Sequence, residues 1–253
     1  MVVGWVRVLA VLLLCCPLAA ASELQFYTEE NPPLSFSRDG QLDGLSVAAV
    51  RELLWRTGDS GSIQMVPWAR GYMRAQHSPN VGLFVTVRTP EREALFQWVG
   101  PLLSTTTSFY ARRGSGLRIA SLDDAREVEG IGVPRDWYSQ QFLERMGFSN
   151  LQRISKPHEI LRMVLHKRIP LMVYEDQLLP GLMAELGGSM DDLEKLHPLM
   201  QSSSYIVFSL NTDVKLVKRW QAALDGMRRD GSLAKLHGQW LPDSPPPVTD
   251  AQP

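Results

Sequence analysis

Two arginines near the middle of the first half of the chain are well suited to bind an anion. Arg88 and Arg92 follow a predicted strand at 81–87. A guanidinium presents a planar fork of N–H donors that matches the two oxygens of a carboxylate. Either arginine can instead form a surface ion pair with Glu91 or Glu93. The residue types therefore indicate carboxylate binding or a surface salt bridge, and both roles stay open for each arginine.

The sequence offers little support for catalysis or for a metal site. The histidines do not cluster at a metal-binding spacing: His77, His158, His166, His197 and His237. The His-Glu-x-x-His motif, the Gly-x-Ser-x-Gly motif and a glycine-rich phosphate loop are all absent from the sequence. Glu30 and Glu175 can in principle form an acid/base pair across a cleft. We predict no catalytic residue, no metal and no cofactor, and keep that pair as the enzymatic alternative.

Short apolar runs alternate with longer stretches of helical period, a pattern typical of α/β architecture. The predicted strands cover 24–28, 63–66, 81–87, 106–111, 130–133, 171–174 and 205–209. The predicted helices cover 44–57, 68–77, 137–146, 157–166, 177–186, 214–228 and 232–240. No repeat of fixed period is present, which excludes a solenoid or a propeller.

The first 21 residues are typical of a secretory signal peptide. Arg7 precedes an uncharged run at 8–21, which is too short to span a bilayer comfortably. Small side chains at 19–21 match the requirement of signal peptidase, so we expect cleavage after Ala21 and a mature protein in the periplasm. Cys15 and Cys16 both lie in this segment, so we expect no disulfide in the mature protein.

The overall charge and the end of the chain define two further expectations. The 26 basic and 27 acidic side chains give a formal net charge of −1, which provides no positive field for nucleic acid or anionic lipid. We expect a monomer that binds a small molecule and no nucleic acid.

Residues 242–253 contain three consecutive prolines and no apolar run, which predicts a disordered tail.

Two predicted strands have the character of crossover connections between two lobes. One, at 105–110, precedes a basic loop at 112–114, and the other, at 202–207, leads into the final helices. If the chain leaves the first lobe at one strand and returns at the other, lobe 1 comprises 22–106 and 206–241, and lobe 2 comprises 107–205. A ligand would bind in the cleft between the lobes.

Five segments spread along the chain carry a family resemblance. Arg88-Thr89-Pro90-Glu91-Arg92 is followed by the segment Phe-Gln-Trp-Val-Gly-Pro-Leu at 96–102. The opening loop at 29–36, the helix start at 67–72 and the closing segment at 227–240 have matching order and spacing. Together they resemble the family 3 extracellular solute-binding proteins, the amino-acid type that feeds ABC importers, and 67–72 resembles a proteobacterial branch. The resemblance covers 24–241 and implies an α/β, two-lobed periplasmic-binding-protein fold of type II with two hinge crossover strands.

The resemblance implies an anion site built from both lobes. Arg92 holds the position that binds the α-carboxylate of an amino acid in the family, and Arg88 can face the same cleft. The second lobe of the family offers a helix N-terminus to the same carboxylate. That site corresponds to 134–139, where this chain has Asp136 and Trp137 instead of a Gly-Thr or Gly-Ser pair. Asp136 fits a helix cap, and its charge disfavours an anion at this position.

The resemblance also implies a site for the ligand's ammonium group, just after the strand at 171–174. Glu175 aligns best with the acidic residue of the family and Asp176 is the alternative, while either can cap the following helix. The remaining ligand-binding candidates are aromatic or polar side chains that can stack on a ligand or hydrogen-bond to it: Trp68, Trp137, Tyr138, Asn31 and Thr86. Core packing is an equal alternative for each aromatic residue.

The predicted function is the periplasmic binding of a small polar solute, an amino acid or a related metabolite, for delivery to an ABC permease. A sensory binding protein that presents its ligand-bound form to a membrane receptor is the first alternative. A dehydratase-like enzyme on the same fold is the second.

Overall fold

The computed structural model describes residues 23–242. The predicted signal peptide at 1–21 lies outside the described residues, as does all of the predicted tail except Pro242.

Ten strands and nine α-helices follow one another in the described part of the chain. The strands are β1 (Leu24–Thr28), β2 (Phe36–Arg38), β3 (Gln41–Asp43), β4 (Gly61–Met65), β5 (Val81–Val87), β6 (Phe96–Arg112), β7 (Ile131–Pro134), β8 (Leu151–Ile154), β9 (Leu171–Glu175) and β10 (Leu193–Ser209). The helices are α1 (Leu45–Thr57), α2 (Trp68–His77), α3 (Pro90–Glu93), α4 (Leu122–Arg126), α5 (Tyr138–Arg145), α6 (Pro157–Leu165), α7 (Leu179–Glu185), α8 (Val214–Arg229) and α9 (Ser232–Trp240). This alternation confirms the predicted α/β class.

One mixed sheet of eight strands organises the molecule, in the order β4-β1-β5-β10-β6-β9-β7-β8. At its centre β6 and β10, each 17 residues long, pair antiparallel along almost their whole length. β5 pairs with β10 at Ser204–Phe208, and β9 pairs with β6 at Thr107–Tyr110. The two long strands therefore continue from the β5 half of the sheet into the β9 half.

Each half of the sheet has its own apolar core, and a third cluster joins the halves. In the β5 half, Phe26 stacks on Trp220 of α8, with ring centroids 4.8 Å apart. In the β9 half, Phe109 and Leu143 belong to a separate buried cluster. The third cluster combines Leu34 with residues of α6 and α7. Burial of Leu34 thus packs the loop after β1 against the opposite half of the molecule.

Membrane-spanning and metal-binding features were sought across residues 23–242. No helix in that range is both long and apolar enough to cross a bilayer. The same residues contain no group of three or more His, Cys, Asp or Glu side chains placed to hold a metal ion.

Candidate functional site

A cavity between the two halves of the sheet contains most of the predicted ligand-binding residues. It encloses about 470 Å³ of space free of protein atoms, part of it open to solvent. The β5 half contributes Glu29, Asn31, Leu34, Trp68, Val85, Val87, Arg92, Leu103 and Ser204. Thr105 on β6 and, from the β9 half, Asp136, Trp137, Tyr138, Glu175 and Leu178 complete the wall. The figure of about 470 Å³ includes open solvent, and the room for water-sized spheres inside the cavity is about 40 Å³.

Arg92 is a buried cation with unused hydrogen-bonding capacity. Its residue surface is only 5% exposed, and its guanidinium donates to the carbonyl of Val87 at 3.2 Å and to Oε1 of Gln141 at 3.3 Å. The guanidinium carbon lies 5.5 Å from the ring centroid of Trp68 and 5.6 Å from that of Tyr72. Among the described residues, no carboxylate lies within 4.0 Å of this guanidinium. Desolvation lowers the pKa of Arg92, so an anionic ligand would compensate a buried charge.

Glu175, the last residue of β9, is the second buried charge of the cavity and is 7% exposed. Its Oε1 accepts a hydrogen bond from the hydroxyl of Tyr138 at 3.2 Å, whereas its Oε2 has no partner in the protein. Burial raises the pKa of Glu175 to about 7, although the bond from Tyr138 lowers it. A cationic group placed at Oε2 would supply both the missing hydrogen bond and the missing charge.

Glu29 is a third charged residue of the cavity that the sequence analysis did not identify. It follows β1 directly and lines the same cavity as Arg92 and Glu175. The pKa of Glu29 is raised to about 7, chiefly by burial and also by the charge of Glu175, while Arg92 opposes the shift. Its position at the carboxyl end of a parallel strand is the signal that could have identified it, because ligands of α/β sheets bind at such ends.

The N-terminus of α5 forms one side of the cavity, and its geometry corrects one expectation. The N-cap residue of α5 is Trp137 and not Asp136, and no side chain caps the helix. Asp136 instead adopts a left-handed conformation at φ 63°, and its backbone N–H donates to Oε1 of Gln140 at 2.7 Å. The first amides of the helix are thus left without a side-chain acceptor. The indole of Trp137 stacks on Tyr174, with centroids 5.9 Å apart.

Three polar atoms in the cavity wall are buried and lack a hydrogen-bond partner in the protein. They are Oδ1 of Asn31, Oε2 of Glu175 and Oγ of Ser204. Buried polar atoms are usually paired, because an unpaired one costs about 1–3 kcal/mol. A polar ligand with N–H donors would satisfy the two acceptors that belong to Asn31 and Glu175.

Arg88 does not line the cavity. Its guanidinium forms a two-pronged contact with the carboxylate of Glu93, at 2.6 Å and 2.5 Å. It also lies over the rings of Trp98 and Tyr205, at 5.3 Å and 5.5 Å from their centroids. Its donors already have an anionic partner away from the cleft. In the structure, Arg88 thus forms the surface ion pair, which was one of its two predicted roles.

Thr86 and Asp176 are also placed outside the cavity. Thr86 is fully buried on β5, and its hydroxyl donates to the carbonyl of Leu83 at 3.4 Å and not into the cavity. Asp176 forms an ion pair with Lys195 and accepts a hydrogen bond from the hydroxyl of Tyr110 at 2.9 Å. Of the two acidic residues after the β9 core, Glu175 therefore lines the cavity and Asp176 does not.

Val85 has a strained backbone within this wall. Its φ is 64°, which is rare for a β-branched residue. The pairing of β10 with β5 moves from Tyr205 opposite Thr86 to Ile206 opposite Phe84, so Val85 is the extra residue of a β-bulge. Bulges of this kind occur next to binding sites, where they redirect side chains.

Comparisons with known proteins agree with this architecture. The family model described as "Bacterial extracellular solute-binding proteins, family 3" matches residues 24–243. A comparison with curated proteins found no significant match.

Three solved structures illustrate the structural similarity. A histidine kinase sensor domain similar to periplasmic binding proteins has a TM-score of 0.79 at 17% identity, and the alignment covers 87% of this chain and 96% of that one. An arginine-, lysine-, histidine-binding protein from Geobacillus stearothermophilus has a TM-score of 0.75 at 15% identity, with 88% and 96% covered. A His/Glu/Gln/Arg/opine family-binding protein from Silicibacter pomeroyi, in complex with lysine, has a TM-score of 0.73 at 19% identity, with 89% and 99% covered. These similarities confirm the predicted two-lobed periplasmic-binding-protein fold.

Proposed function

Since the chain belongs to the bacterial extracellular solute-binding proteins of family 3, we propose that it binds an amino acid with a cationic side chain. The ligand's α-carboxylate binds Arg92, and its α-ammonium binds Oε2 of Glu175. This charge pattern requires no covalent step, so the protein acts as a binding protein and not as an enzyme.

The observation that carries this proposal is the pair of unsatisfied charges in one cavity. Arg92 is buried without a carboxylate partner, and Glu175 is buried with one oxygen unpaired. An α-amino acid carries one anionic and one cationic group and therefore complements both. A ligand of only one charge would leave the other residue desolvated and unpaired.

The preference for a cationic side chain follows from Glu29. The cavity contains two glutamates with pKa values near 7 against the single guanidinium of Arg92. After Arg92 and Glu175 bind the α-carboxylate and the α-ammonium, Glu29 still lacks a cation. An ammonium or guanidinium group on the ligand's side chain would stabilise its ionised form.

Closure around the ligand would use the two long strands as hinges. We take 22–106 with 206–241 as one lobe and 107–205 as the other, with β6 and β10 crossing between them. Two contacts already join α3 to α5: the Arg92–Gln141 hydrogen bond and an ion pair of Glu91 with Arg145 at 3.2 Å. A ligand carboxylate between α3 and the N-terminus of α5 would draw the same two elements together.

Delivery to an ABC importer from the periplasm completes the proposed role. The amino-acid-binding neighbours support this assignment, whereas the sensor domain among them favours a second candidate, presentation of the closed form to a membrane receptor. Pull-down of the ligand-saturated protein with solubilised membranes, followed by identification of the captured membrane protein, separates the two roles.

A thermal-shift screen of the mature protein against the common amino acids tests the proposed function. At 100 times its dissociation constant, a ligand adds about 2.7 kcal/mol of stability. We expect L-lysine or L-arginine to give the largest rise in Tm. A rise only with ligands that lack a carboxylate, or with none of the amino acids, would contradict the proposal.

A further inference from the structure

The hydroxyl of Tyr138 is the meeting point of both crossover strands and the buried carboxylate. It lies 2.6 Å from Oγ1 of Thr107 on β6, 3.1 Å from Oγ of Ser202 on β10 and 3.2 Å from Oε1 of Glu175. Tyr138 is itself buried at the start of α5. The start of α5 thus contacts both long strands through one phenol oxygen.

When Glu175 is ionised, counting protons fixes the direction of every bond in this network. A phenol has one hydrogen to donate and can accept two hydrogen bonds. Tyr138 donates its hydrogen to Glu175, so Thr107 and Ser202 must both donate to the Tyr138 oxygen. Ser202 has then used its hydrogen, and the bond at 3.2 Å to Thr105 must be donated by Thr105. All four hydroxyls therefore direct their hydrogens along a chain that ends at Glu175.

Such a chain favours a negatively charged acceptor at its end, because each bond polarises the next. It also occupies Oε1 of Glu175 and leaves Oε2 without a partner. The carboxylate is therefore held in one orientation before a ligand arrives. Preorganisation of this kind reduces the entropy cost of binding.

We propose that Tyr138 is a positioning residue for the ammonium subsite, where its hydroxyl, held by Thr107 and Ser202, orients Glu175 and favours its ionised form for a cationic ligand. The identity of the bound group as the ligand's ammonium rests on the proposed function. The orientation and ionisation of Glu175 do not rest on it, because they concern the ligand-free protein.

Other groups also act on Glu175 and must be held constant in any test. Glu29 after β1 and Arg92 on α3 share its cavity, while Asp176 and Tyr174 are its neighbours on the chain. Tyr110 provides a matched control, because its hydroxyl donates to Asp176 at 2.9 Å from the adjacent long strand. Tyr110→Phe removes a phenol hydroxyl bound to Asp176, the residue next to Glu175, without removing a bond to Glu175.

The decisive experiment is a pH titration of Glu175 in the ligand-free mature protein. Carbon-detected NMR of the glutamate carboxyl groups monitors this titration. Glu175→Gln assigns the resonance. We expect Tyr138→Phe to raise the Glu175 midpoint by about one pH unit, as for loss of one hydrogen bond to a carboxylate. Tyr110→Phe should leave that midpoint unchanged.

A second variant covers the case in which Tyr138→Phe does not fold. Ser202→Ala keeps the phenol and removes one of its two donors, so it should raise the same midpoint by a smaller amount. The proposal is overturned if the folded Tyr138→Phe and Ser202→Ala proteins both titrate like the wild type, or if Tyr110→Phe moves the midpoint equally.

Titration calorimetry with L-lysine separates this inference from the proposed function. We expect Tyr138→Phe to weaken binding about tenfold at pH 7, with the loss shrinking at higher pH where Glu175 is again ionised. Absence of L-lysine binding by the wild type would contradict the proposed ligand, whereas the NMR titration would still decide the role of Tyr138. A tenfold loss that is equal at every pH would overturn the ionisation role.

Discussion

Arg92 on α3 and Glu175 at the end of β9 line one cavity from the two halves of the sheet, and each is buried with unused hydrogen-bonding capacity. Burial of a charge without its partner is costly, so both residues destabilise the empty cavity. A ligand that carries a carboxylate and an ammonium removes both costs at once. These two buried groups support our proposal that the site binds a zwitterion and not a singly charged solute.

Replacement of Glu175 tests the cationic subsite. Glu175→Gln keeps the shape and removes the charge, so we expect the affinity for L-lysine to fall by about a hundredfold, as for loss of a charge-assisted contact. Asp176→Asn is the matched control, because Asp176 pairs with Lys195 outside the cavity. Calorimetric titration of both variants checks the prediction, and an equal loss in the control would contradict it.

The pKa of Glu175 also predicts how stability depends on pH. The folded state raises this pKa from 4.5 to about 7 and so binds the proton more tightly than the unfolded chain. The contribution of Glu175 is therefore neutral below about pH 4.5, becomes increasingly unfavourable up to about pH 7 and is constant above it. We expect Glu175→Gln to gain stability over the wild type across that window, reaching roughly 3 kcal/mol.

Urea unfolding of the ligand-free wild type and Glu175→Gln at a series of pH values measures this difference directly. A difference that stays constant from pH 4.5 to 7, or that shrinks over this range, would show that Glu175 does not titrate as described.

Gly44 packs against the backbone of Pro33 and Leu34, in the loop that contains the cavity residue Asn31. Its φ is 117°, and a Cβ at this position would lie 2.5 Å from the carbonyl oxygen of Leu34. We expect Gly44→Ala to cost at least about 2 kcal/mol of stability, because strained backbone and steric overlap add. Gly40→Ala is the control: it also has positive φ, at 76°, but its Cβ would meet nothing within 4 Å. Chemical denaturation should show the smaller loss for Gly40→Ala, and equal losses would contradict the steric argument.

The regular elements could be predicted from the sequence where the apolar period was strong. The strands at 24–28 and 81–87 and the helices at 68–77 and 232–240 have the predicted bounds. By contrast, β10 begins at Leu193, twelve residues before its predicted start. Its first part contains many polar or partly exposed residues and is held by pairing with β6, a long-range contact that a local pattern does not contain.

The candidate site could be predicted in part. Seven of the ten proposed residues line the cavity: Arg92, Glu175, Trp68, Asn31, Asp136, Trp137 and Tyr138. Arg88 forms an ion pair with Glu93, and Asp176 forms one with Lys195. These pairings form only in the folded chain. The sequence also gave no indication of the Tyr138 network, because Thr107, Ser202 and Glu175 are distant from one another along the chain.

The most direct test of the account is the affinity of the Arg92→Ala variant for L-lysine, measured by titration calorimetry beside Arg88→Ala. Arg92 is buried in the cavity without a carboxylate partner, whereas Arg88 is paired with Glu93 outside it. We predict a loss of about a hundredfold for Arg92→Ala and no significant change for Arg88→Ala. Wild-type affinity in Arg92→Ala would contradict the central claim that this guanidinium anchors the ligand's carboxylate.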